Sequence, residues 1–95
     1  MGFRYSDILI DNDNELHSTI YGMISDDPKE RFKAEYKQLI IRLEKLNETI
    51  DKYNRGELDY NVNSTIGLLK VQATYMNAYA GVLRDRAYLE GVNLD

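Results

Sequence analysis

The chain has 95 residues, no cysteine, one histidine and a formal charge of −4. Without cysteine there are no disulfides or thiolate metal sites, His17 alone cannot build a histidine-rich site, and the acidic balance argues against general affinity for nucleic acid. The length allows one domain at most, and no stretch is apolar enough to cross a membrane or reads as a cleavable leader, so a cytosolic protein is expected.

Residues 1–12 carry the apolar run Ile8, Leu9, Ile10, which fits either a short helix capped by Ser6 or an extended arm. Over residues 14–24, Leu16, Ile20, Met23 and Ile24 follow helical spacing and predict a short amphipathic helix. The segment Ser25-Asp26-Asp27-Pro28 ends it and opens a long one. Asp27 is placed to cap, Pro28 takes the first helical position, and Glu30 is spaced to reach back as in a capping box.

Residues 28–53 hold the most regular pattern in the chain. Phe32, Tyr36, Leu39, Leu43, Leu46, Ile50 and Tyr53 alternate by four and three, the period that keeps one helical stripe against a partner helix. The following NRGELDYNVN has no helical period and contains Gly56, so it reads as a turn. Ser64 or Asn63 is placed to cap a second long helix, whose apolar positions Ile66, Leu69, Ala73, Met76, Ala80, Leu83 and Ala87 repeat the same alternation up to a stop at Gly91.

The two stripes fit each other as an antiparallel hairpin. Phe32 pairs with Ala87, Tyr36 with Leu83, Leu39 with Ala80, Leu43 with Met76, Leu46 with Ala73, Ile50 with Leu69 and Tyr53 with Ile66, with the turn centred at Asp59 and Tyr60. Several layers oppose a large residue to alanine, which allows close approach. The expected fold is therefore all-α: a two-helix hairpin with a coiled-coil-like seam over residues 28–95 and an N-terminal arm with a short helix over residues 1–27, forming one domain. The second long helix has a further apolar face at Leu68, Val71, Tyr75, Ala78, Tyr79 and Val82, and the first carries Ile40 and Ile41 beside its seam. A hairpin with this much surplus apolar surface predicts a homo-oligomeric bundle; the alternative is a three-helix monomer in which the N-terminal helix covers enough.

Lys29, Lys33 and Lys37 lie one turn apart, with Arg31 nearby, at the start of the first long helix, and the hairpin brings Arg84 and Arg86 to the same end. Cations at a helix N-terminus prepare that end for an anion, while the carboxylates of Asp26, Asp27, Glu30, Glu35, Asp85 and Glu90 fit a solvated mixed surface equally. Tyr21, Tyr75, Tyr79 and Tyr88 offer faces for nucleobases, or serve as interface residues. There is no phosphate loop, nucleophile elbow or zinc-helix motif, so the chain reads as a non-enzyme that needs no cofactor and no metal.

The segments ERFKAEYKQLIIRLEKLNETI and LLKVQATYMNAYAGVLRDRAYLEGV resemble a family of very short phage helical-hairpin proteins related to those of crAss-like phages. The likeness is carried by Arg31, Glu35, Leu39, Leu43 and Leu46, then by Leu68, Leu69, Gln72, Met76, Tyr79 and Arg86, and spans residues 28–92. More distantly, the architecture is similar to phage hairpin proteins that sequester cyclic-nucleotide or cyclic ADP-ribose signals from anti-phage defence (CBASS, Thoeris). That resemblance implies an anti-defence protein of the host cytoplasm, with a small anionic nucleotide bound between subunits by Tyr21, Lys29, Arg31 and Lys33. The other function compatible with the sequence is a helical adaptor or inhibitor that acts by protein–protein interaction.

Overall fold

The computed structural model describes residues 15–58 and 64–95. Their order is α1 (Ile20–Met23), α2 (Pro28–Asn54) and α3 (Ile66–Glu90), with no strand among the described residues. The arm over residues 1–12 and the turn centre at Asp59 and Tyr60 lie outside the described residues.

Helix α2 starts where the sequence signals place it. The Asp27 carboxylate accepts from the Lys29 N–H at 2.9 Å, and Pro28 follows in a position where its missing N–H costs nothing. The capping box is not formed. The Asp27 N–H donates to Ser25 Oγ (3.1 Å), while Glu30 pairs with Lys33 at 3.7 Å, so the serine of the preceding loop takes the place expected for Glu30. Helix α3 is capped by Thr65, whose hydroxyl accepts from the Leu68 N–H at 3.2 Å, and not by Ser64; Asn63 lies outside the described residues. Thr65 is extended (φ −68°, ψ 150°), the backbone conformation that lets a side-chain oxygen reach the first turn.

Both long helices end the same way. Gly56 and Gly91 each adopt φ +70°, and the residue after each donates five positions back: Glu57 N–H to the Lys52 carbonyl (2.8 Å) and Val92 N–H to the Ala87 carbonyl (2.9 Å). This is the Schellman arrangement, which needs a left-handed residue and so favours glycine. After α3 it also reverses the chain, so that Val92 and Leu94 pack back onto the core.

The two seams meet as an antiparallel hairpin in the expected register. Phe32, Leu39, Ala80, Leu83 and Ala87 form one buried cluster; Leu43, Ile50 and Ala73 form a second; and half-buried Met76 touches both. Leu83 and Ala80 are almost fully enclosed, at 1% and 0% exposure. The polar contacts across the seam agree with the apolar ones. The Arg86 guanidinium stacks 4.7 Å from the Phe32 ring centre, Arg84 Nη1 donates to Tyr36 Oη at 3.1 Å, and the Tyr79 hydroxyl donates to the Glu35 carboxylate. In the outermost expected layer Tyr53 is half exposed, and Ile66 is partly buried against the second cluster.

The N-terminal helix departs from its sequence pattern. A helical turn at residues 15–17 breaks at Ser18 and Thr19 before the single turn of α1. Ile20, Met23 and Ile24, expected to face the core, are exposed. Thr19 and Gly22 make the contact with α2 in their place. Thr19 is buried, its hydroxyl donating to the Leu16 carbonyl (2.7 Å) and accepting from Gln38 Nε2 (3.4 Å), so the buried oxygen is satisfied. Gly22 sits so close to α2 that an added Cβ would stand 2.8 Å from the Ala34 Cβ. The approach of α1 to α2 is closest between two small residues, Gly22 and Ala34.

Candidate functional site

Helix α2 is used on three sides, and the period of about 100° per residue separates them. One side, through Phe32, Leu39, Leu43 and Ile50, faces α3. A second, through Ala34 and Gln38, receives α1. A third carries Lys33, Lys37, Ile40 and Glu44.

The four residues expected to form a ligand site do not converge within one chain. Lys29 and Lys33 follow one another along the third side, about 40° apart, whereas Arg31 is about 200° from Lys29 and lies on the α1 side. There the Arg31 guanidinium donates to the Ser25 carbonyl at 2.6 Å and ties the α1–α2 loop to the first turn of α2. Tyr21 projects from α1 and is 78% exposed, an unobstructed aromatic face. Lys33 is half-buried, and its ion pair with Glu30 is solvent-exposed and weak. Arg84 and Arg86 arrive at this end of the bundle but are engaged, with Tyr36 and with Phe32 and Glu90.

On the third side the chain forms a hollow of about 470 Å³. Its floor is Ile40 and Ile41 of α2, Lys33, Tyr36 and Lys37 stand toward the start of the helix, and Leu94 of the reversed tail closes one side. Glu44, Asn93 and Asp95 complete the rim. Ile41, expected among the surplus apolar surface, is buried within the chain. Lys37 has no carboxylate partner among the described residues. The signal for this hollow in the sequence is slight: two apolar residues, Val92 and Leu94, alternating just beyond the glycine that stops α3. Among the described residues there is no group of three His, Cys, Asp or Glu able to hold a metal ion, and no helix long and apolar enough to span a membrane.

The model of the Sequestin family matches residues 26–89, which take in all of α2 and all but the last residue of α3. The chain belongs to the Sequestin family. The family name denotes sequestration, a binding role and not a catalytic one. No curated protein and no solved structure matches the chain. The Sequestin match begins at Asp26, beside the cap of α2, and ends just before the reversal at Gly91, so it covers the packed hairpin and leaves out α1 and the tail.

Proposed function

We propose that the protein is a phage anti-defence protein that binds and sequesters a small anionic cyclic nucleotide, an immune signal of the host cell, without chemical turnover. The observation that carries this reading is Sequestin membership across the whole hairpin, since that name denotes holding a molecule. Lysines along the start of α2 supply charge for phosphates, and the exposed ring of Tyr21 supplies a stacking surface for a base.

The ligand would lie at a junction between subunits. Lys29 and Lys33 occupy one side of α2 while Arg31 occupies another, so a single small molecule touching both sets draws them from different copies. A surface for self-association is available on α3, where Leu68, Val71, Tyr75 and Val82 are exposed in one stripe away from the hairpin seam, with Tyr79, bonded across to Glu35, at its edge. Titration calorimetry against cyclic dinucleotides, cyclic trinucleotides and cyclic ADP-ribose forms is the direct test. At least one should bind stoichiometrically and be recovered unchanged after heat release, and Lys29→Glu or Arg31→Glu should abolish that binding while leaving the assembled mass intact. Absence of heat with every compound would defeat the reading.

The same exposed stripe on α3 is what favours a second reading, a helical adaptor or inhibitor that docks this face on another protein. Light scattering separates the two, because the sequestering assembly predicts a multimer and the adaptor a monomer that binds a macromolecular partner.

A further inference from the structure

We propose that the hollow between α2 and the reversed tail is a nucleotide-binding subsite, taking phosphate at Lys33 and Lys37 and the nucleoside over Ile40, Ile41 and Leu94. The inference rests on the sequestering role proposed above and specifies where in the chain a nucleotide is held. Its residues were not among those the family resemblance pointed to, apart from Lys33.

Size, lining and charge point the same way. A volume of about 470 Å³ lies within the range of small-molecule sites, and the apolar floor with a few polar groups at its rim is the usual composition of such sites. Among the described residues Lys37 has no carboxylate partner to displace, and Lys33 has an exposed pair with Glu30 at 3.7 Å. Along α2 the charge of the rim is graded, and Asp95 of the tail adds a second carboxylate beside that of Glu44. Lysines stand at the beginning of the helix, and Glu44 stands seven residues further on, about 10 Å along the axis from Lys37. A nucleotide has the matching polarity, with anionic phosphate at one end and hydrogen-bond donors, ribose hydroxyls or base amines, at the other. A plain phosphate would leave the apolar floor and the acidic end unused, and a purely apolar ligand would leave the lysines unused.

Two of the walls are tied to the hairpin. Tyr36 is held by the bond its hydroxyl accepts from Arg84 Nη1 at 3.1 Å, which anchors its ring to α3. Leu94 is held by the glycine reversal at Gly91 and by its packing on the Phe32, Leu39, Ala80, Leu83 and Ala87 cluster. A preformed site spends less of its interaction energy on ordering side chains.

The test is calorimetry with cyclic GMP–AMP and cyclic ADP-ribose as probes, on the wild type and on Lys37→Glu, Leu94→Ala and Lys29→Glu. Lys37 is exposed, so its reversal leaves the fold intact, which circular dichroism verifies. The expected result is that a probe bound by the wild type is weakened about tenfold or more by Lys37→Glu, and several-fold by Leu94→Ala, through loss of a charge-assisted contact and of apolar cover respectively. Wild-type affinity in Lys37→Glu alongside a loss in Lys29→Glu would overturn this subsite and leave the sequestering role standing. An effect of Lys37→Glu with none from Leu94→Ala would also overturn it, since charge alone acts at a distance. Failure of both probes and of the wider nucleotide panel to bind the wild type would bring down the sequestering role, and the subsite with it.

Discussion

Gly22 shows how a single position decides where a helix sits. It is neither the left-handed stop that Gly56 and Gly91 provide nor a flexible joint, but the point where α1 touches α2 with no room for a methyl group. The atom it would strike is the Ala34 Cβ, which is fixed to the backbone and cannot rotate away. Gly22→Ala should therefore weaken docking of α1 by about 1–3 kcal/mol, as overpacking does elsewhere. Hydrogen exchange of the bonded amides of Thr19, Met23 and Ile24 should accelerate, while those in the middle of α3 stay protected. Adding Ala34→Gly should restore protection of α1, because the clash is pairwise. Unchanged exchange in Gly22→Ala would show that the close approach does not hold α1. The core behaves differently. Leu83 is 1% exposed between four other core residues, and Leu83→Ala should cost about 2–5 kcal/mol in urea unfolding, from lost transfer energy and the cavity left behind.

At the level of the element, each long helix is bounded by local chemistry that any chain of this sequence carries with it. Asp27 and Thr65 cap the two N-termini, and Gly56 and Gly91 close the two C-termini. Thr65→Ala should cost about 1 kcal/mol, seen as a lower urea midpoint with an unchanged slope, and Thr65→Asp should recover it by restoring the acceptor. Most of this was legible: the seam residues, the hairpin register, the Asp27 cap and the Gly91 stop all follow from spacing and turn chemistry. What escaped reading has a common cause. The choice of Thr65 over Ser64 depends on a backbone angle, and the exchange of Glu30 for Ser25 depends on how the α1–α2 loop folds back, with Arg31 tying its Ser25 carbonyl. Side-chain type alone does not distinguish neighbouring polar residues that are all able to cap.

For the whole molecule, the unsettled surface is the exposed stripe of α3. Helix α3 carries apolar residues on two sides, and the hairpin uses only one of them. If copies of the chain cover the other, Val82→Glu combined with Leu68→Glu should convert the assembly to a monomer by light scattering, because buried unpaired carboxylates oppose association. A wild type that is already monomeric would remove the ground for self-association. Nucleotide binding, if held by lysines as proposed, should weaken steadily as salt is raised from about 0.05 to 0.5 M, since screening shortens the reach of exposed charges.

Repeating spacings of three and four are enough to dictate two helices and their pairing, because a helix presents the same face wherever it is built and two complementary stripes have one good antiparallel register. Which side of α2 receives α1, which lysines border a hollow and whether that hollow exists are decided by tertiary contacts. The sequence pattern offered Ile20, Met23 and Ile24 for burial, yet these are exposed, while Thr19 is buried against Gln38 and Gly22 approaches Ala34 where a methyl group has no room. The hollow needs a reversal at Gly91 to carry Leu94 back beside Ile40 and Ile41, residues more than fifty positions earlier in the chain. Periodicity records the faces of single helices, and such a meeting of distant segments leaves no periodic trace.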